Sequence, residues 1–308
     1  MHKSIIADSS LFFVTFIWGT TFVLVQNAIN TLNPLAFNGI RFLMAAILLS
    51  LWLIFFEKKQ LSQLNKQAIL AGVFIGFWLF LGYATQTIGL LYTTSSKAGF
   101  ITGLSVVLVP LFSMFFLKQA LSRNALWGVI IATAGLFLLT AADFSPLNTG
   151  DVFVFFCAIS FALHIVFTGK FTANYPTLLL TVIQIATVGF LSSITSFLVE
   201  DWGNTFRWEL LLSQNVYLAL LITSLFATAF AFLAQTKFQK YTTTTRVALI
   251  FAMEPVFAAA TGYVWANERL TIGALIGCLF IFAGMIFAEL PGSKFSFSKK
   301  QFKNNSLS

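Results

Sequence analysis

The sequence predicts an all-α membrane protein with ten transmembrane helices, arranged as two inverted five-helix repeats, with both termini in the cytoplasm. Three observations predict this fold. The chain of 308 residues is 58% hydrophobic and only 9% charged, whereas soluble domains are about a quarter charged. Long apolar runs separated by polar residues fill almost all of it, and the second half repeats motifs of the first. No stretch is left for a soluble domain of useful size.

The apolar runs are interpreted as helices because a helix needs roughly 20 mostly apolar residues to cross a bilayer, and an open sheet cannot cross one. In chain order the ten helices are predicted near residues 9–27, 35–56, 68–90, 97–117, 124–142, 151–169, 176–199, 214–236, 245–265 and 271–289. The first five helices form a repeat over residues 8–142 and the last five a repeat over 150–289. A basic cytoplasmic tail follows at 290–308.

The lysines and arginines of the loops predict the orientation, since cytoplasmic loops are enriched in both residues. With a cytoplasmic N-terminus, almost all of them fall on the inner side, and only Lys97, Arg207 and Arg269 fall outside. The net charge of +8 is therefore interpreted as a sign of topology and not of nucleic-acid binding. We expect the lipid bilayer of a bacterial-type plasma (inner) membrane to surround the chain.

The internal repeat is carried by two similar segments. YTTSSK at residues 92–97 is followed, 149 positions later, by YTTTTR at 241–246. A fainter match aligns the helix that begins at Asp151 with the one that begins at Asp8. Because each repeat holds five helices, an odd number, the second copy must enter the membrane in the opposite orientation. Inverted repeats are the recurring architecture of secondary transporters, with the substrate site near the midplane between the copies. A symmetric membrane scaffold or a lipid scramblase is the alternative interpretation.

At the same offset of 149 positions, Gly128 and Gly135 fall on Gly277 and Gly284. The seven-residue spacing places both glycines of each pair on one face of a helix and permits close backbone contact. Such a face would suit contact either between the two repeats or between two protomers of a homodimer.

Several motifs carry a family resemblance. WGTTF at 18–22, NGIRFLMAA at 38–46, MEPVFAA at 253–259 and NERL at 267–270 resemble, in order and spacing, the EamA-type transporters of the drug/metabolite transporter superfamily. The resemblance covers residues 8–289. It implies a ten-helix exporter or exchanger that alternates between inward-open and outward-open states. Substrates in that superfamily include amino acids, nucleobases, sugars and drugs, so the resemblance does not name one.

Glu254 is the first candidate for a substrate or proton site. It lies near the centre of the ninth predicted helix, where an ionised carboxylate costs roughly 2.5–3.5 kcal/mol to insert. A carboxyl group at this depth could take up and release protons during a transport cycle. Alternatively, it could cap a broken helix or pair with a basic residue. The first repeat carries no carboxylate at this depth, where leucine and valine are expected.

Pro255, next to Glu254, and Pro110 in the fourth predicted helix are expected to break the corresponding helix of each repeat, one turn apart in depth. Prolines are common in membrane helices generally, so Pro110 alone is equally compatible with a structural role.

Two further ionisable residues lie inside predicted spans. Arg41 could bind a substrate carboxylate or pair with a glutamate, or it could extend to the outer interface as a structural anchor. His164 could take part in proton transfer, or it could form an ordinary hydrogen bond between helices. Neutral groups that could orient a polar or zwitterionic solute complete the candidate site: Trp18, Thr21, Tyr83 and Gln86.

Other functional classes are disfavoured. The chain has no catalytic triad pattern, no phosphate-binding glycine loop and no ligand spacing typical of a metal site, so we expect neither an enzyme nor a cofactor. Cys157 and Cys278 both lie in apolar spans and are expected to be free thiols. A facilitative channel remains as an alternative to a carrier, although no repeated polar loop resembles a selectivity filter.

Overall fold

The computed structural model describes residues 2–93, 95–140, 146–201, 207–265 and 271–290. Their regular structure is helical, with no strand among them. The predicted basic tail lies outside the described residues from residue 291 onward, as does Arg269.

Ten apolar helices, numbered in chain order, account for most of the described residues. They are α1 (His2–Ile29), α2 (Pro34–Phe56), α3 (Lys66–Gly89), α4a (Ser95–Gly103) with α4b (Ser105–Leu117), α5 (Arg123–Thr140), α6 (Thr149–Phe171), α7 (Thr177–Val199), α8 (Gln214–Gln239), α9a (Thr244–Phe251) with α9b (Glu254–Trp265), and α10 (Ile272–Glu289). Eight of them are long and apolar enough to cross a membrane, while α5 and α10 are shorter. Two single-turn helices, Lys58–Leu61 and Trp208–Leu211, lie in the connections.

The outer faces of these helices are apolar. Large side chains such as Phe55, Phe115, Phe197 and Leu279 point away from the protein and are at least 64% exposed. Exposed apolar patches of this extent are unusual on a soluble protein, whereas lipid tails accept them without cost. Together with the eight long apolar helices, they make the chain a multi-pass membrane protein.

Helix starts are specified by local side chains. Asn148 and Asp151 form a capping box at α6, in which each side chain accepts a hydrogen bond from the other residue's backbone N–H. Ser122 accepts from the backbone of Ala125 at 3.0 Å, and Thr271 accepts from Ala274 at 3.1 Å. These two pairs are 149 positions apart, so α5 and α10 start in the same way.

The helix packing is symmetric: the main contacts between helices have counterparts when the two halves are interchanged. Helices α2 and α7, which are counterparts, pack against each other, and so do α5 and α10. The contact of α3 with α6 has its counterpart in that of α8 with α1, and the contact of α4b with α6 in that of α9b with α1. This is the pattern that two similar halves related by a twofold axis would produce.

The ends of α2 and α7 cap each other. The Glu200 carboxylate accepts backbone hydrogen bonds from Leu35 at 2.8 Å and Ala36 at 3.0 Å, at the start of α2. At the opposite end of this pair, the Gln60 side chain accepts from the backbone of Leu178 at the start of α7. Each helix start therefore receives a side chain from the segment that follows its partner.

The paired glycines of α5 and α10 lie in the contact between the two halves. A Cβ on Gly128 would come within 2.6 Å of the Gly284 carbonyl oxygen, and one on Gly135 within 2.7 Å of the Gly277 carbonyl oxygen. Of the two interpretations offered for this glycine face, contact between the halves of one chain is the one that the structure has.

The interruptions of α4 and α9 differ from the prediction. The break in α4 falls at Leu104, and Pro110 lies within α4b. The prediction that Pro110 breaks the helix was therefore wrong. In α9 the break falls at Ala252 and Met253, directly before Glu254. Leu104 and Met253 are 149 positions apart, so the breaks are at matching depths. Proline is tolerated inside a membrane helix where surrounding groups satisfy the backbone carbonyl that it frees, and Pro110 lies buried within α4b.

One feature of α8 was not predicted. Residues Thr223–Phe230 form a π-helical segment within the otherwise α-helical span. π-Helical turns are rare and are often found at functional sites. In this protein the segment faces the cavity described next.

Candidate functional site

A cavity of about 300 Å³ lies between the two halves. Helices α1, α3, α4a, α6, α8 and α9 contribute most of its wall, with Arg41 and Asn38 from α2. It extends from the breaks in α4 and α9 toward the end of the molecule where α3 ends and α4a begins. That end is the one predicted to face outward.

The cavity brings together all seven of the predicted substrate or proton residues. Its wall contains Trp18, Thr21, Arg41, Tyr83, Gln86, His164 and Glu254, and also Pro255. Pro110 is not part of the wall and lies buried within α4b. The seven residues come from five helices, and the helix breaks at Leu104 and Met253 lie beside the cavity.

Arg41 is held rigidly by its neighbours and is only 3% exposed. Its Nε donates a hydrogen bond of 2.7 Å to the Thr228 hydroxyl, and its Nη2 donates one of 3.5 Å to the Tyr83 hydroxyl. The rings of Phe42 and Tyr83 each lie 5.1 Å from the guanidinium carbon. Arg41 is therefore buried in the wall and does not extend to the outer interface.

Thr228 belongs to the π-helical segment of α8, which also supplies a second contact to the cavity wall. The Trp18 indole N–H donates a hydrogen bond of 2.8 Å to the Ala227 carbonyl. A wider π-helical turn changes which backbone carbonyls are available to other groups. This segment thus positions both the cation and the largest aromatic side chain of the site.

Glu254 is the first residue of α9b and is half-buried in the cavity wall. Within the described residues it forms no hydrogen bond or ion pair through its side chain. Helix α1 crosses close to it, because a Cβ on Gly19 would lie 2.7 Å from the Glu254 carbonyl oxygen. One alternative for this carboxylate was a salt bridge to a basic residue. Glu254 forms no such salt bridge among the residues described.

His164 is part of a buried hydrogen-bond chain. Its Nε2 lies 3.0 Å from Oε1 of Gln184, whose amide nitrogen donates at 2.8 Å to the Thr236 hydroxyl. Thr236 in turn donates to the Phe232 carbonyl at 2.7 Å. In this arrangement Oε1 of Gln184 accepts a hydrogen bond from the protonated Nε2 of His164, which leaves Nδ1 as an acceptor. His164 therefore forms an interhelical hydrogen bond, which was one of the two interpretations of this residue. It also lines the cavity.

Aromatic rings form much of the remaining wall. Trp18 lies against Phe251 and Phe232 with ring centroids 5.0 and 5.4 Å apart. Tyr83 lies 5.3 Å from Phe161. The site therefore combines a few polar groups with an apolar surface, as is usual for small-molecule sites.

The hydroxyl of Thr21 and the amide of Gln86 are already engaged. Thr21 donates to the Ile17 carbonyl of its own helix at 2.8 Å. Gln86 donates to the Thr102 hydroxyl at 3.5 Å, which ties α3 to α4a. Both side chains remain at the cavity surface, where their oxygens can accept a hydrogen bond.

The cavity wall is built from corresponding positions of the two repeats. At an offset of 149 positions Tyr83 corresponds to Phe232 and Gln86 to Gln235, and all four residues line the cavity. At the offset of 143 positions that relates Asp8 to Asp151, Trp18 corresponds to Phe161 and Thr21 to His164. Sequence reasoning singled out only one member of most pairs. Extending the repeat alignment through α3 and α8 would have identified Phe232.

The charged residues depart from this symmetry. Glu254 corresponds to Ser105, which also lines the cavity, so the expectation of leucine or valine at that depth was wrong. Arg41 corresponds to Gln184. Each charge therefore has a neutral polar counterpart in the other half.

The other end of the molecule is closed. There the Ser113 and Thr244 hydroxyls are 2.6 Å apart, joining α4b to α9a, and Thr244 donates to Gln119 at 3.2 Å. Gln239 donates a short hydrogen bond to the Ile165 carbonyl. Beyond this layer lies a second, polar pocket of about 420 Å³, whose wall includes Gln119, Gln239 and Thr244.

Metal ligands and thiols contribute little to the site. Among the described residues, no group of three or more His, Cys, Asp and Glu side chains could hold a metal ion. Cys157 and Cys278 are free, and Cys157 is buried 3.8 Å from the Thr102 hydroxyl.

Comparisons with known proteins agree with this architecture. An uncharacterized transporter of Archaeoglobus fulgidus is 32% identical over 292 residues, which cover 94% of this chain and 87% of that protein. The uncharacterized transporter YoaV of Bacillus subtilis is 22% identical over 298 residues, covering 94% of this chain and 96% of its own. A solved crystal structure with 18% identity superimposes with a TM-score of 0.74 and covers 90% of this chain and 94% of that one, which shows a shared fold.

The EamA-like transporter family model matches the chain twice, at residues 5–141 and at residues 148–289. Both halves of the cavity wall lie within these matches, and together the matches span nearly the whole sequence. The chain is a membrane transporter and belongs to the EamA-like transporter family.

Proposed function

We propose that the protein is a secondary-active carrier that binds a small organic solute in the cavity between its two halves. The observation that supports this most directly is a cavity that is lined by corresponding positions of two repeats and closed at one end. In inverted-repeat transporters the two halves exchange conformations around a fixed central site. The same exchange in this protein would close the open end of the cavity. It would also separate Ser113 from Thr244 and so open the end that is now closed.

The direction of transport and the membrane form part of the proposal. The distribution of Lys and Arg supports a bacterial inner membrane with the cavity open to the outside. In that orientation the structure corresponds to the outward-open state of an exporter. The substrates are metabolites, amino acids or drugs small enough for a cavity of about 300 Å³.

A flux assay in proteoliposomes distinguishes this carrier from the alternatives. A carrier should show saturable uptake and counterflow, in which substrate on one side accelerates movement of labelled substrate from the other. A channel would show neither. Rapid exchange of fluorescent lipids between leaflets, without solute counterflow, would indicate a scramblase instead.

We further propose that transport is coupled to protons through Glu254. The carboxylate lies in the cavity wall, next to the break in α9, and forms no side-chain bond within the described residues. Glu254→Gln keeps the size of the side chain but removes its proton-binding oxygen. We expect this variant to lose accumulation driven by a pH gradient while it retains counterflow. Retention of proton-driven accumulation by Glu254→Gln would refute the coupling.

A further inference from the structure

We propose that Gln239, oriented by Gln235, holds the closed end of the carrier shut through a hydrogen bond that the open end cannot form, so that the empty protein favours the conformation seen here. This inference rests on the proposed carrier function and adds a residue that sets the preferred orientation of the empty carrier. Its basis is a difference between corresponding positions at the two ends of the cavity.

Gln239 joins α8 to α6 at the closed end. Its side-chain amide nitrogen donates a hydrogen bond to the Ile165 backbone carbonyl. Ile165 lines the central cavity, whereas Gln239 lines the second pocket, so the bond crosses the layer that separates the two. Gln239 is only 1% exposed, and a hydrogen bond is stronger in such a buried place than in water.

The amides of Gln235 and Gln239 fix each other's orientation. A backbone carbonyl can only accept, so the Gln239 amide nitrogen must face Ile165 and its oxygen must face away. That oxygen accepts a hydrogen bond of 3.4 Å from the Gln235 amide nitrogen, one turn earlier in α8. Gln235 is buried, and its own oxygen has no hydrogen-bond partner in the described part of the chain. Gln235 therefore keeps Gln239 in the bonding orientation although one of its own polar atoms stays unsatisfied.

Gly169 gives Gln239 the room to reach α6. A Cβ on Gly169 would lie 3.3 Å from the Gln239 amide nitrogen and 2.8 Å from Cγ2 of Thr244. These are two of the side chains that form hydrogen bonds between helices at the closed end. Any larger residue at position 169 would therefore press on both of them.

The corresponding positions at the open end cannot form the same bond. At an offset of 149 positions Gln239 corresponds to Leu90, and at an offset of 143 positions Ile165 corresponds to Phe22. Leu90 and Phe22 both line the cavity. The leucine side chain has no N–H to donate to the Phe22 carbonyl. Closure of this end would therefore bring together only apolar side chains at these two positions.

Opening of the closed end would break the bond of Gln239. In an exchange between inverted repeats, Gln239 and Ile165 would move to the wall of an open cavity, as their counterparts are now. Ser113 would also separate from Thr244, and its counterpart Gly262 offers no hydroxyl for an equivalent bond. The conformation seen here thus has hydrogen bonds that the exchanged conformation lacks at these positions, which raises its population.

The test measures which end of the cavity is open. Ser105 is the first residue of α4b and lines the cavity, so Ser105→Cys supplies a thiol of nearly the same size in a background without Cys157 and Cys278. The full chain is placed in sealed membrane vesicles of known orientation. A membrane-impermeant maleimide is added at one face or the other, and the two reaction rates are compared. Without further changes, the thiol should react faster from the open end.

Gln239→Met keeps the length of an unbranched side chain but removes the amide. We expect the reaction rate from the open end to fall and the rate from the closed end to rise, which changes their ratio by about tenfold. Gly169→Ala, on the opposite helix, should change the ratio in the same direction because its Cβ would displace Gln239.

Thr181→Val is the matched control. Thr181 is buried in the first turns of α7, and in the described part of the chain its hydroxyl donates only to the Thr177 carbonyl of the same helix. This variant loses a buried hydrogen bond that joins no two helices, so the ratio of the two rates should stay unchanged. Thermal unfolding in detergent checks that each variant is folded.

An unchanged ratio in folded Gln239→Met or Gly169→Ala would overturn the inference. So would a rise of the rate from both faces, which indicates general loosening, or an equal change of the ratio in Thr181→Val. Counterflow of the unaltered protein tests the carrier function separately. Saturable counterflow together with an unchanged labelling ratio would reject the role of Gln239 and leave the carrier function intact.

Discussion

Arg41 shows how a buried charge can be held in place by neutral groups. Its hydrogen-bond acceptors are hydroxyl groups, and its faces are covered by Phe42 and Tyr83. Such contacts orient the guanidinium but do not cancel its charge, which remains available to a ligand. Thr228 is the closest of these partners, and it lies on the π-helical segment. The local widening of α8 is therefore part of how the site is positioned.

The first residue-scale prediction concerns this contact. Thr228→Val keeps the shape of the side chain but removes the oxygen that accepts from Arg41. A hydrogen bond to a charged group contributes about 1.5–3 kcal/mol, so we expect KM for the transported solute to rise by roughly tenfold or more, with little change in kcat. Thr228→Ser should restore wild-type KM. Initial rates of counterflow over a range of substrate concentrations provide both constants.

Thr223 offers a matched control in the same π-helical segment. It is also buried, but its hydroxyl donates to the Ala219 carbonyl of its own helix and does not reach Arg41. Thr223→Val should leave KM near the wild-type value. A similar rise of KM in both variants would mean that the segment acts through packing and not through Arg41.

At the scale of helices, the breaks in α4 and α9 allow each helix to behave as two pieces. At the closed end α9a packs on α4b through the Ser113–Thr244 hydrogen bond. At the open end, Gly262, the counterpart of Ser113, lines the cavity instead. Because glycine has no hydroxyl, its side chain cannot form a hydrogen bond like that of Ser113 at the open end.

A prediction at this scale uses the accessibility of the cavity. Removing the closing hydrogen bonds with Ser113→Ala and Thr244→Val should shift the population toward closure of the present mouth. A cysteine at Gly99 would report this, because a Cβ there meets no atom within 4 Å. In a background without Cys157 and Cys278, we expect this cysteine to react several-fold more slowly with a membrane-impermeant maleimide added at the mouth.

Ser160→Ala provides the control, since in the described part of the chain the Ser160 hydroxyl donates only to the Phe156 carbonyl of its own helix. It should leave the labelling rate of the cysteine at Gly99 unchanged. If the closing-layer variants also leave that rate unchanged, Ser113 and Thr244 do not control the equilibrium.

At the scale of the whole molecule, α5 and α10 join the two halves through their glycines. The close approach of Gly135 to Gly277 and of Gly128 to Gly284 requires the absence of side chains on both helices. Because this contact uses the glycine face within one chain, the same face is not available for a homodimer. Close packing of small residues is a principal source of helix association in membranes.

We predict that Gly135→Ala destabilises the protein, since the added Cβ would lie 2.6 Å from the Ile281 nitrogen and 2.7 Å from the Gly277 carbonyl oxygen. Overpacking of this kind typically costs about 1–3 kcal/mol. Thermal unfolding in detergent should show a lower midpoint. Gly273→Ala is the matched control in α10, because its nearest neighbours would be 3.7 Å away, and it should unfold like the wild type. Equal midpoints for the two variants would contradict the role of the glycine contact.

Much of the membrane architecture followed from the sequence by itself, because apolar length and loop charge are local properties of the chain. The candidate residues from Trp18 to Glu254 were also identifiable, since polar groups are conspicuous in apolar spans. Their assembly in one cavity is a tertiary property. So are the position of the α4 break at Leu104 instead of Pro110 and the π-helical turn that presents Thr228, both of which depend on packing against neighbouring helices. The sequence alone determined which groups the membrane must accommodate, and only the tertiary structure decided which of them face each other, because that depends on how the two halves pack together.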